Sequence, residues 1–176
     1  MTEPLESLKR YIGRSETATD VVAGSAIAKL AATLGVEKPA LAKGDPIPPG
    51  WHGAFFPPSH GPSEMRADGQ AAGGGIVPPV PLPRRRLGGV RTAFHEPLRI
   101  GDEITRVSEI ADIGVHEDES GPIVLLVERN SISNGRGLAA VEERDLIFLS
   151  EGRAAAKSTS PPALPAEAAW RRVIEP

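Results

Sequence analysis

The side chains able to do chemistry are few. The chain holds four histidines, His52, His60, His95 and His116, no cysteine, and one dense run of cations, Arg84-Arg85-Arg86. Without thiols there is no disulfide, no thiolate nucleophile and no cysteine-based zinc or iron–sulfur site. Four scattered histidines do not make a metal cage, so neither a metal nor a cofactor is expected. His52 follows Trp51 in a proline-rich stretch. It reads either as a cleft-lining acid, base or substrate donor, or as a loop histidine bonded to backbone. Ser59-His60 is an isolated pair with no orienting acid in view, and it reads as a turn. His95 alternates with Phe94 and, if Phe94 faces a core, points to solvent or an interface. His116 sits beside Glu117, Asp118 and Glu119 as a surface turn residue. The triple arginine is either a solvated loop held by ion pairs or an anion site. Planar guanidinium donors suit a phosphate, such as the nucleotide tail of a thioester. Gly73-Gly74-Gly75 runs into Ile76-Val77-Pro78-Pro79 rather than a helix start, so it matches no nucleotide fingerprint.

These residues must be held by a chain of 176 residues with net charge -3. That is one ordinary domain, and its acidic balance argues against a nucleic-acid partner. No apolar run approaches the roughly 20 residues of a membrane span. The polar start from Met1 to Arg10 is no signal peptide. A cytoplasmic location, with no membrane partner, is the expectation. Gly (19) and Pro (18) are abundant while aromatics are 4%, and the glycines and prolines crowd into residues 38–89. No helix or central strand tolerates that density. Trp51, Phe55, Phe56 and Met65 within it argue for an ordered covering loop that lines a cleft.

Around this loop the patterns predict an α+β domain over residues 1–150. Leu5, Leu8 and Tyr11 suggest a short amphipathic helix over 3–11. A second helix, capped by Thr19 or Asp20, carries the stripe Ile27, Leu30, Ala31 and Leu34 and stops at Gly35. Its many small residues suit a buried helix wrapped by a sheet. Four strands are expected at about 90–98, 104–113, 123–132 and 138–149. Val90, Thr92 and Phe94 share one face of the first, and Asn134-Gly135 makes the last hairpin. The third is apolar on both faces and needs cover on both, a helix on one side and another subunit on the other. Residues 151–176 read as a linker with a terminal docking segment around Trp170.

Specific words in the chain sharpen this picture. Pro48-Pro49-Gly50-Trp51-His52, Gly74-Gly75-Ile76-Val77-Pro78-Pro79-Val80-Pro81-Leu82-Pro83-Arg84-Arg85, Phe94-His95-Glu96-Pro97-Leu98-Arg99-Ile100-Gly101-Asp102 and Val141-Glu142-Glu143-Arg144-Asp145 resemble the N-terminal half of 3-methylfumaryl-CoA (mesaconyl-CoA) hydratases. These belong to the MaoC-like, fatty-synthase-like dehydratase group. The resemblance implies a hotdog fold, an antiparallel sheet wrapped around a central helix. It also implies a hydro-lyase acting on an enoyl-CoA such as mesaconyl-CoA, giving a 3-hydroxyacyl-CoA such as citramalyl-CoA. In that family a Gly-Asp-x-Asn-Pro-x-His pattern after the helix supplies the acid/base pair. Here the matching stretch is Gly35-Val36-Glu37-Lys38-Pro39-Ala40-Leu41. Valine and leucine stand at the Asp and His positions and carry no proton. No catalytic residue is therefore expected in this chain. Full-length relatives continue into a second hotdog near the position of Pro176, so the dyad is expected from a dyad-bearing hotdog partner. The alternatives are a homodimer that binds acyl thioesters without turnover, and an active hydratase using His52 or His95. The substrate-binding set expected for the acyl-CoA thioester is Trp51, His52, Gly74, Gly75, Arg84, Arg85 and Arg86.

Overall fold

The computed structural model describes residues 3–37, 39–57, 61–65, 75–119 and 121–150. The expectations for Ser59, His60, Gly74, Lys38 and the segment 151–176 lie outside these residues. A single turn of helix, α1 (Glu3–Glu6), tightens into a 3-10 turn (Ser7–Tyr11). The spacing of three between Leu5, Leu8 and Tyr11 is the 3-10 repeat, which stacks them on one side. Leu5 and Leu8 are buried and Tyr11 packs beside them.

Next comes β1 (Ser15–Val21), a strand where the sequence suggested a helix cap. Thr19 and Asp20 therefore do not cap α2 (Gly24–Leu34). Its N-cap is Ala23, with no side-chain bond, and Gly35 closes it in the left-handed conformation at φ 65°. Alternating Thr17, Thr19 and Val21 favour the extended chain, and β1 pairs along its whole length with β3. α2 buries Ile27 and Ala31 but leaves Leu34 exposed, so one face is covered rather than the whole helix. Its small side chains allow close approach: a Cβ on Gly24 would lie 3.4 Å from the Leu41 carbonyl.

The remaining strands are β2 (Arg84–Phe94), β3 (Glu103–Asp118), β4 (Gly121–Asn134) and β5 (Gly137–Leu149). Every pairing in the sheet is antiparallel, in the order β1-β3-β4-β5-β2. The Asn134-Gly135 hairpin forms as expected, with Asn134 opposite Gly137. The expected covering loop is shorter than residues 38–89, because Arg84–Gly89 is strand and pairs with β5. The glycine pair that looked like loop is a bulge between Leu87 and Gly89. A Cβ at Gly88 would meet Ile147 Cδ1 at 2.8 Å, so any larger residue there must push the Ile147 side chain aside. β3 runs on to Asp118, which places His116 on a strand rather than in a turn; its side chain is exposed, as anticipated.

Two apolar cores form on the inner face of this sheet. One gathers Leu5, Leu8, Ile76, Leu82, Ile110, Ile113, Val124, Leu126 and Phe148. The other gathers Val22, Ile27, Ile47, Phe55, Leu98, Ile100, Ile104, Ile132 and Ala139. The N-terminal turns cover the first and α2 covers the second. This is the helix-on-antiparallel-sheet arrangement of a hotdog.

Candidate functional site

Between the two cores the inner face turns polar. The register aligns Glu16, Ser108, Asn130, Glu142 and Thr92 side by side across all five strands. The next row on one side is Ala18, Arg106, Ile132, Ala140 and Phe94. On the other side Ile110, Glu128, Arg144 and Val90 follow. Because side chains alternate along a strand, all of these project to the same face.

Buried polar groups must find partners there. Ser108 Oγ donates to Asn130 Oδ1 at 2.5 Å, and Asn130 Nδ2 donates to Glu128 Oε1 at 3.0 Å. Glu142 accepts from Arg144 Nε at 2.5 Å through Oε1. Its Oε2 lies 3.1 Å from His52 Nε2. The His52 and Glu142 side chains are only 9% and 11% exposed.

His52 reaches this row because of the turn that carries it. Gly50, at φ 86°, opens a 3-10 turn over Trp51–Ala54. Trp51 N–H donates to the Pro48 carbonyl at 3.1 Å, and Phe55 N–H donates to the His52 carbonyl at 3.1 Å. The turn sends Trp51 against the second core and His52 inward to Glu142. Phe94 meets the imidazole edge-on, with ring centroids 5.9 Å apart and planes at 66°. The His52 side chain is thus bonded to a carboxylate rather than to backbone.

Two cavities meet at His52. One, about 490 Å³, is mainly apolar and is formed by Ile47, Pro48, Pro49, Phe94, Leu98 and Ala140 among others. The second, about 720 Å³, is polar; Asp20, Phe56, Gly75, Arg106, Asn130 and Glu142 contribute to it. His52 lines both. A third, of about 330 Å³, lies beside Val77, Arg85, Leu87, Glu128 and Arg144.

The expected site residues therefore separate. His52 and Gly75 line the polar cavity, whereas Trp51 packs on the core. The three arginines do not form one cluster. As consecutive strand residues they alternate between faces, so Arg85 joins the third cavity while Arg84 and Arg86 project to the opposite face. Val36 and Leu41, at the positions of the expected dyad, are 44% and 37% exposed and line none of these three cavities. His95 borders the apolar cavity and is exposed, with its N–H bonded to the Ala139 carbonyl at 2.9 Å. Sequence reasoning missed Glu142, Asn130, Arg144 and Arg106. Their one signal was charge and amide groups at inward positions of otherwise apolar strands.

The shifted titrations lie outside this band. On the outer face Arg91, Glu143, Arg129 and Glu109 alternate in sign across four strands. Hydrogen bonds from Arg129 hold Glu143 below the usual carboxylate range, and Arg91 does the same for Asp145. Asp102, at the turn before β3, is lowered by the paired donors of Arg136. Among the described residues no group of three or more metal-binding side chains exists, and no helix is long and apolar enough to cross a membrane.

Known proteins resemble this arrangement in sequence and in fold. Mesaconyl-C(4)-CoA hydratase of Chloroflexus aurantiacus is 32% identical over 166 residues, which cover 94% of this chain and 59% of the relative's length. The chain thus spans a little over half of that protein. The ChsH1-ChsH2 complex from Mycobacterium tuberculosis aligns with a TM-score of 0.51 at 15% identity, covering 93% of this chain and 97% of the other. The HadBC (3R-hydroxyacyl-ACP dehydratase) complex from the same organism aligns at 0.50 and 16% identity, covering 78% and 96%. These structural likenesses establish the hotdog fold. The sequence profile of hydroxyacyl-thioester dehydratase type 2 matches residues 50–176, which takes in the His52 turn, β2 and the whole β3–β5 meander, and the chain belongs to that family.

Proposed function

We propose that this chain is the substrate-cleft unit of an acyl-thioester hydro-lyase, whose proton-handling Asp/His pair comes from a second hotdog unit. In the forward sense water adds across the double bond of an enoyl thioester, the hydroxyl going to the β-carbon and a proton to the α-carbon. The reverse expels water from a 3-hydroxyacyl thioester. The observation that carries this reading is the meeting of an apolar and a polar cavity at His52. An acyl thioester has that same division, hydrocarbon beside a polar carbonyl, and charge on the carbonyl oxygen in the transition state needs positioned donors. Asn130 offers such a donor, since its amide nitrogen gives only one of its two N–H groups to Glu128, and Gly75 lets the chain pass close to the cavity. Arg85 extends the site toward the anionic tail of coenzyme A.

Among the described residues the Glu142 and Asp20 carboxylates leave this site no free oxygen, and Glu16, which also lines the polar cavity, is exposed. Both Glu142 oxygens already accept hydrogen bonds, and those of Asp20 accept from the Val21 and Phe56 N–H groups. Val36 and Leu41 cannot move protons. Mesaconyl-CoA is the substrate the sequence relative suggests. The test is hydration of mesaconyl-CoA, followed by loss of enoyl-thioester absorbance. This chain alone should give no turnover, and turnover should come when it is joined or mixed with a hotdog unit bearing the Asp/His pair. Brisk hydration by this chain alone would refute the division of labour. A second reading, in which His52 itself carries the proton, draws on its 3.1 Å approach to Glu142. It requires that activity of the isolated chain vanish in His52→Gln.

A further inference from the structure

We infer that Arg106 is a carboxylate anchor, so that the acyl group taken by this cleft bears a free carboxylate, as a short dicarboxylic acyl thioester does. The inference rests on the proposed thioester-binding role and names the substrate class within it. Arg106 stands on the inner face of β3 in the polar cavity. Its guanidinium lies over the Phe56 ring, Cζ 4.9 Å from the centroid. Among the described residues no carboxylate or carbonyl bonds it, and its Nε is buried without a partner. The other nitrogen donors seen bonded in that cavity are engaged: Arg144 Nε by Glu142, and His52 Nε2 by the same carboxylate. A buried arginine donor left unsatisfied is costly, so the arginine is kept at this place for something other than its own stability.

The mount is also strained. Phe56 adopts φ 57°, a left-handed conformation that an aromatic residue rarely takes, and among the described residues no other non-glycine has a positive φ. The Asp20 carboxylate holds it there by accepting the Phe56 N–H at 2.8 Å. The bond fixes the ring beneath Arg106. Such strain is found where a group must be pre-positioned. The fork geometry of the terminal nitrogens matches a planar carboxylate. Sheet spacing separates the Arg106 and Glu142 Cα atoms by about 12 Å, two strands over and two residues along. A small acyl group can therefore lie between Arg106 and His52 inside a cavity of about 720 Å³.

Equilibrium titration of the chain with mesaconyl-CoA, crotonyl-CoA and coenzyme A tests this, because the first two differ chiefly in the free carboxylate. The expected result is tighter binding of mesaconyl-CoA than of crotonyl-CoA by about tenfold to a hundredfold, the value of a charge-assisted pair. Arg106→Gln should abolish that preference and leave crotonyl-CoA unchanged, and Arg106→Lys should restore part of it. If Arg106→Gln weakens all three ligands equally, Arg106 is structural or binds the nucleotide phosphates, and the inference is overturned. If no thioester binds, the thioester reading fails. Free mesaconate then decides alone: saturable binding that Arg106→Gln removes upholds the anchor, and its absence overturns it. Circular dichroism of both variants guards against misfolding, and Arg106→Lys serves as the decisive variant should Arg106→Gln not fold.

Discussion

Replacing Glu142 by alanine probes the buried pair at the centre of the site. The substitution removes the acceptor from His52 Nε2, which sits in a side chain only 9% exposed. An unsatisfied buried donor costs about 1–3 kcal/mol. The other partner suffers less: the Arg144 side chain is 46% exposed and regains water. The loss is therefore set by His52, and about 2 kcal/mol is expected. With a urea slope near 2 kcal/mol per molar for a domain of this size, the unfolding midpoint should fall by about 1 M. His52→Ala should cost about 1 kcal/mol, chiefly through the lost edge-on contact with Phe94, since Glu142 keeps Arg144. In the double variant there is no orphaned imidazole, so the two losses should fall short of additivity by on the order of 1 kcal/mol. Glu142→Gln keeps the shape and one acceptor and should lie between wild type and alanine. Urea unfolding followed by circular dichroism measures all four proteins. Strict additivity of His52→Ala and Glu142→Ala would show that the two side chains do not interact, and the reasoning from burial would fall with it.

Two further perturbations read other parts of the fold. Asp102 accepts from Arg136 Nη2 at 2.6 Å, Arg136 Nη1 at 3.0 Å, Asn134 Nδ2 at 2.9 Å and the Arg99 N–H at 2.8 Å. These bonds lower its pKa below the usual value, so the unfolded chain binds the proton more readily. Its stabilisation is complete above about pH 4 and is lost as pH falls through the depressed folded value. Asp102→Asn should cost about 1–2 kcal/mol near neutrality, allowing for the exposure of Arg136, and should flatten the acid limb of a melting-temperature profile. An unchanged acid limb would remove Asp102 as its source. Gly88→Ala places a Cβ 2.8 Å from Ile147 Cδ1 and 3.0 Å from Cγ1. It should destabilise by about 1–3 kcal/mol through overpacking, and pairing it with Ile147→Ala should relieve the clash, which a thermal melt of the three variants reports.

The parts of the fold legible in the sequence were those with local signals. Asn134-Gly135 between two alternating runs fixed the β4–β5 hairpin, and Gly35 after an apolar stripe fixed the end of α2. The parts that misled had local signals pointing elsewhere. Thr19 and Asp20 have the chemistry of a helix cap, yet Asp20 spends its carboxylate on the distant Phe56 N–H, and the segment is held extended by β3. Arg84–Gly89 follows a run of prolines and contains a glycine pair, so it looked like loop; the reason for Gly88 is the Ile147 side chain, which no local pattern reveals. The arginine triplet looked like one patch because neighbours in sequence seem neighbours in space, which a strand forbids. The His52–Glu142 contact joins residues 90 positions apart. Only the inward series Ala140, Glu142, Arg144, Leu146 and Phe148 hinted at it, with two charges interrupting an otherwise apolar face.

That interruption has a physical consequence for the whole domain. An uninterrupted apolar inner face would fuse the two cores and gain stability, since a buried polar network is at best neutral beside well-packed hydrophobic side chains. Instead Ser108, Asn130, Glu142 and His52 are buried and must satisfy one another through bonds of 2.5–3.1 Å. The described covering elements respect the break, with Leu5 and Leu8 over one core and Ile27 and Ala31 of α2 over the other. Neither caps the row between. A fold that buries a polar row, strains Phe56 beside it and leaves the Arg106 Nε without an acceptor among the described residues gives up stability in three ways at one place. Apolar packing calls for neither the polar row nor an arginine beside it, whereas the proposed binding of a polar acyl group along the band gives both a reason.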